Sequence, residues 1–359
     1  MTVQRDDNSR RNDNSGWRIV PVNPNKPFFV ARVGCLALFT LRARTNRTKC
    51  HAMTMRNLFR MLRPTLRAIL RPMGLALIVC APTVAQQIPA AITTDPVRDK
   101  DFPAAMEAPD IISHGARLNA VFYLASGARP HPVVLLMHGF PGNEQNMDLA
   151  YSVRRAGWNV LVPHYRGSWG SAGSFSFRNA IEDTQAAVEF LRDPDNAKRY
   201  RYDATKIVAV GHSMGGFLAA YTGAHDPGIV GVAMISAWDL GLAASRPPSA
   251  QRTKSFHDAS PRLAGTTPEG MLAEAQQNAA KWNYVDWAPD LKTRPVLVVE
   301  SHDGNDPDNK ALVEALRKAG DSHVTEVYME TDHGYADHRI ALQTAVLNWL
   351  QSLAIAPGK

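Results

Sequence analysis

The chain has 359 residues with 40 Lys/Arg, 33 Asp/Glu and a formal net charge of +7. The excess is local: residues 1–85 carry 15 Lys/Arg and 3 Asp/Glu, leaving 25 basic and 30 acidic residues from 86 onward, which gives no support to a nucleic-acid partner. All three cysteines (Cys35, Cys50, Cys80) sit in that same segment, so residues 86–359 hold no thiol, as suits an exported domain whose core needs no disulfide.

Residues 1–52 are rich in Asn, Arg and Pro without a sustained period, and are read as disordered or as an upstream extension. From Met53 the pattern sharpens. Arg56, Arg60, Arg63, Arg67 and Arg71 form a basic region, residues 73–81 are apolar, and Pro82-Thr83-Val84-Ala85 offers small residues for cleavage. That order predicts a signal peptide over 53–85, cleaved near Ala85, and a periplasmic or secreted product. The apolar core falls short of the about 20 residues a spanning helix needs, so no stable membrane insertion of the mature protein is expected. Residues 86–110, Pro- and Ala-rich, read as a linker or a strap over the domain surface.

The domain itself is expected over 111–355. Ile111-Ile112 and residues 118–124 look like an antiparallel pair turning at His114-Gly115. Residues 133–137 form a continuous apolar run, as in a strand covered on both faces. Then come helix around 144–155, strand 159–163, helix 180–192, strand 207–210, helix 216–224 and strand 229–236. After a break come strand 296–300, helix 309–319, strand 324–329 and helix 336–353. Strands alternating with helices at this spacing predict a mostly parallel, doubly wound α/β sheet. Residues 240–290 interrupt the rhythm with a short helix expected at 271–280, and read as a cap-like insertion or lid.

The chemistry gathers at strand ends. Gly211-His212-Ser213-Met214-Gly215 follows a β-branched run and precedes a small-residue helix. The glycines permit a sharp strand-to-helix turn that leaves Ser213 exposed above the sheet, the context of a nucleophile elbow. A serine needs a base, an orienting carboxylate and oxyanion donors. Upstream, His138-Gly139-Phe140-Pro141-Gly142 can present the N–H of Phe140, and Met214 supplies a second amide. Downstream, His333 follows the last strand and is the candidate base, ahead of His338 and of His212 beside the serine. Asp303 follows the strand 296–300 and is the candidate acid, with Asp306 in reserve as a helix cap and Asp239 as a third choice.

The order Ser213, Asp303, His333 with an oxyanion turn upstream resembles the α/β-hydrolase superfamily over residues 111–353. The resemblance implies a mainly parallel sheet of about eight strands with helices on both faces, and a triad with Ser213 as nucleophile, His333 as general base then acid and Asp303 holding the imidazole, with no metal and no organic cofactor. His164-Tyr165-Arg166-Gly167-Ser168-Trp169-Gly170 further resembles the Arg-Gly-Ser-x-Gly loop of prolyl-oligopeptidase-like (S9-type) serine hydrolases, where Arg166 either braces the loops around the site or meets substrate. A carboxylic-ester hydrolase is the expectation, acting on small-molecule esters of small or medium acyl groups. A dipeptidyl-peptidase-like enzyme acting on short peptides and a non-catalytic binding protein of the same fold are the alternatives.

Overall fold

The computed structural model describes residues 87–355, Pro248 excepted. The segments 1–52 and 53–85, with the expected signal peptide and all three cysteines, lie outside the described residues.

Ten strands are present among the described residues: β1 (Ala105–Glu107), β2 (Ile111–Ser113), β3 (Ala116–Leu118), β4 (Ala120–Leu124), β5 (His131–Met137), β6 (Asn159–Pro163), β7 (Tyr202–His212), β8 (Ile229–Ile235), β9 (Val296–Ser301) and β10 (Val324–Met329). Eight of them form one sheet in the order β1-β4-β6-β5-β7-β8-β9-β10. From β6 to β10 neighbouring strands are parallel; β1 and β4 close the other edge antiparallel. The apolar runs explain the centre. Every residue of β5 is buried, with Val133, Leu135 and Met137 in one core and Val134 and Leu136 in the other. Such strands need helices on both faces.

The helices supply that cover. α3 (Phe177–Arg192), α5 (Met214–His225) and α10 (Asp306–Lys318) put Phe177, Phe217 and Leu312 into the first core. α2 (Met147–Arg155) and α11 (Arg339–Ser352) put Val153, Leu347 and Trp349 into the second. The fold is therefore the doubly wound α/β arrangement anticipated from the alternation of elements. The remaining helices are α1 (Ala90–Thr93), α4 (Pro194–Tyr200) and, in the insertion between β8 and β9, α6 (Leu240–Ser245), α7 (Ala250–Ala259), α8 (Pro268–Gln277) and α9 (Ala288–Leu291).

Two local readings change. Residues 111–124 do not form one pair: β2 and β3 make a separate two-stranded hairpin through His114 and Gly115, both at positive φ, while β4 joins the main sheet. The segment read as linker or strap is more than that. β1 pairs with β4 as the sheet's edge strand, and the Arg155 guanidinium grips α1 by donating to Ala91 O at 2.5 Å and Ile92 O at 3.2 Å. A three-residue edge strand carries too little period to be seen in sequence.

Candidate active site

β7 runs without interruption into α5, and Ser213 is the hinge between them. Its backbone is left-handed (φ 57°, ψ −119°), a conformation that costs a non-glycine residue roughly 1–3 kcal/mol and is held by its surroundings. Ser213 N–H donates to Ile235 O at 2.9 Å, while Ser213 O accepts from Gly216 N at 2.9 Å and Trp238 N at 3.0 Å. The side chains missing from two glycines make room: a Cβ on Gly215 would lie 2.1 Å from Met137 O, and one on Gly139 would lie 2.9 Å from Ser213 Cβ. The end of β5 and its following turn thus close directly onto the serine. Ser213 is 7% exposed.

The structure brings Asp303 and His333 together. His333 Nδ1–H donates to Asp303 Oδ2 at 2.6 Å. The carboxylate side chain is 2% exposed and the imidazole 43%, so one end of the pair is dry and the other open to solvent. Burial alone would raise the Asp303 carboxyl, but the hydrogen bonds from His333 and from Asn305 N–H at 2.8 Å, with the His333 charge, outweigh it and hold the carboxyl below its ordinary value.

His333 is linked to the elbow through its neighbour. His212 Nε2–H donates to His333 O at 2.8 Å, and the two rings lie 4.6 Å apart. Burial, with the adjacent His333, pushes His212 down to about 3, so it stays a neutral spacer.

The other candidates stand elsewhere. Asp306 is not a helix cap; it is the first residue of α10 and pairs with Lys310 at 3.6 Å, Asn305 taking the cap position. Asp239 caps α6 through Leu242 N at 2.8 Å and accepts from Tyr284 N at 3.1 Å, tying both ends of the insertion. His338 pairs with Asp337 at 2.8 Å before α11. Arg166 is a brace. Its Nε donates to Asp183 Oδ1 at 2.6 Å and its Nη2 to Glu182 Oε2 at 2.5 Å, while its backbone N donates to Asp183 Oδ2 at 2.7 Å, locking the Gly-Ser loop to α3.

A sequence profile described as the Alpha/beta hydrolase family matches residues 133–342, more than half of the chain. The chain belongs to the alpha/beta hydrolase family. Among curated relatives, a thermostable monoacylglycerol lipase of Bacillus sp. (strain H-257) is 34% identical over 119 residues, 31% of this chain and 45% of that protein. Acylamino-acid-releasing enzyme 1 of Oryza sativa subsp. japonica is 28% identical over 131 residues, 33% of this chain and 16% of that protein. The chain matches less than half the length of either. Among solved structures, a Pyrobaculum calidifontis esterase superposes with TM-score 0.52 at 20% identity, covering 71% of this chain and 88% of that one. An acylaminoacyl peptidase of Pyrococcus horikoshii gives TM-score 0.52 at 16% identity, over 69% of this chain and 41% of that one. These likenesses speak to the fold.

Reading the sequence alone missed the parts of this family member that hold the His333 loop. Tyr335, fully buried two residues on, donates to Val299 O at 3.1 Å and shares a 2.9 Å hydrogen bond with Ser236 Oγ, which in turn bonds Ser301 Oγ at 2.7 Å. Serines at strand ends and a tyrosine after a glycine carry no periodic signal; only the adjacency of β8, β9 and the last loop reveals the network. Among the described residues no group of His, Cys, Asp or Glu is arranged to hold a metal ion, and no helix is long and apolar enough to cross a membrane.

Proposed function

We propose that this family member is an exported serine hydrolase that cleaves carboxylic esters through an acyl-enzyme. What supports the reading is the strained Ser213 at the end of β7, the His333 Nδ1–Asp303 Oδ2 bond of 2.6 Å, and the bond from His212, next to the serine, to His333 O at 2.8 Å. In this reading Ser213 Oγ attacks the ester carbonyl as its proton passes to His333 Nε2. Asp303 keeps the imidazole in the tautomer that makes this transfer productive. The N–H groups of Phe140 and Met214 receive the developing oxyanion. The imidazolium then gives its proton to the departing alkoxide, and a water activated by the same base releases the acid. The sequence of steps calls on no metal and no organic cofactor. Export rests on the basic, apolar and small-residue order of residues 53–85.

The esterase and lipase names among the similar proteins support ester cleavage; the acylamino-acid-releasing relative and the Arg166 loop support a peptidase as the second reading. Turnover of p-nitrophenyl acetate and butyrate, beside aminoacyl p-nitroanilides, separates them. Ester cleavage that disappears in Ser213→Ala is the expected result. Faster release from the anilides selects the peptidase, and no turnover of either selects a non-catalytic binding protein.

A further inference from the structure

Phe140 does not sit alone beside the serine. Its ring lies 5.7 Å from Phe175, 5.7 Å from Phe177, 6.1 Å from Trp238 and 5.5 Å from Phe256, centroid to centroid. These rings come from separate parts of the chain: the start of α3 and the residues just before it, Trp238 three residues past β8, whose N–H donates to Ser213 O, and α7 of the insertion. Phe175, Phe177 and Phe256 are buried, whereas Phe140 and Trp238 stay partly exposed, so the cluster offers an apolar face next to Ser213.

Its side of the sheet identifies what it meets. The rings pack in the core shared with α3 and α5, while Tyr335 of the His333 loop belongs to the opposite core with α11. The imidazole must return a proton to the leaving oxygen, so the alcohol portion of an ester lies toward His333. The acyl portion then points the other way, onto the rings.

Depth sets the size of that group. Against Trp238 and Phe256 there is a narrow cleft, partly open to solvent and lined also by Leu240, Arg252, Leu272 and Gln276, with only ≈ 10 Å³ of room, about one water. A close-packed wall of this kind stops an extending chain. We propose that Trp238 and Phe256 end the acyl subsite and restrict the protein to esters of short acyl groups, acetyl through butyryl. The inference rests on the serine-esterase reading and deepens it by naming the substrate class.

The test is kcat/KM for p-nitrophenyl acetate, butyrate and octanoate with the natural protein, Phe256→Ala and Phe256→Leu, each also treated with a fluorophosphonate probe. The natural protein should favour butyrate over octanoate by about tenfold or more. Phe256→Ala joins the cleft to the site and should raise the octanoate-to-acetate ratio by about tenfold, with Phe256→Leu moving the same way by less. The leucine variant decides the matter where the alanine variant does not fold. Octanoate turned over as readily as butyrate by the natural protein, or a ratio shifted by less than about twofold in a folded variant, overturns the inference. Labelling of Ser213 without any preference for short esters, or without ester turnover, overturns it while leaving the nucleophile in place; absence of labelling overturns the underlying serine-hydrolase reading with it.

Discussion

Asp303 and Asp306 stand three residues apart, yet their surroundings assign them opposite work. Asp303 is dry and bonded to His333; Asp306 shares solvent with Lys310. Asp303→Asn should therefore lower kcat on p-nitrophenyl acetate by about 10³–10⁴, through loss of the correct imidazole tautomer, and Asp306→Asn by less than about threefold. Spacing alone ranked Asp303 first because a glycine turn after a strand suits the acid, but the partner of each was invisible. Glu300 makes a second case. It is 0% exposed on β9, neither carboxylate oxygen has a hydrogen-bond partner among the described residues, and burial, with Glu326 nearby, pushes its carboxyl up to about 7. The folded state then binds this proton more tightly than the unfolded chain, so stability falls as pH rises from the ordinary carboxylate range toward 7, and the penalty is complete above that. Glu300→Gln should leave stability nearly unchanged at pH 4 and raise it at pH 8 by on the order of 1–3 kcal/mol in denaturant titrations. A gain of equal size at both pH values would contradict the assignment.

At the scale of elements, the strongest constraint is the contact between the start of α5 and the end of β5. Gly215 sits against the Met137 carbonyl so closely that a methyl group cannot be admitted without moving the helix. Gly215→Ala should cost about 2–4 kcal/mol in the urea midpoint analysis, well above the usual effect of adding a methyl to an exposed helix. The glycine spacing made this elbow legible from sequence, as the continuous apolar runs did for β5, β8 and β9. The insertion was legible only as an interruption. Its working parts are set by contacts far apart in the chain: Asp239 ties Leu242 and Tyr284, and Phe256 reaches Phe140. The Arg166 loop was likewise recognisable as a motif, while its lock onto Asp183 and Glu182 depends on how α3 crosses the sheet.

Over the whole molecule, the division of charge and cysteine argues for two fates within one chain. A basic, cysteine-bearing segment precedes an acidic, thiol-free alpha/beta hydrolase domain whose sheet is formed by β1 and β4 to β10. Processing of the precursor should release a protein beginning at Gln86, as read by N-terminal sequencing of the exported product; a mature protein that keeps Met53 would contradict the signal-peptide assignment. The family assignment and the parallel order of the sheet place the strand ends together, and every proposed catalytic role depends on that edge. The most direct measurement is labelling of the folded protein with a fluorophosphonate, followed by peptide mass mapping. One adduct per chain on Ser213, abolished by Ser213→Ala in a protein of unchanged circular dichroism and slowed by Asp303→Asn, is the predicted result. An unlabelled Ser213, or an adduct that maps to another residue and survives Ser213→Ala, would contradict it.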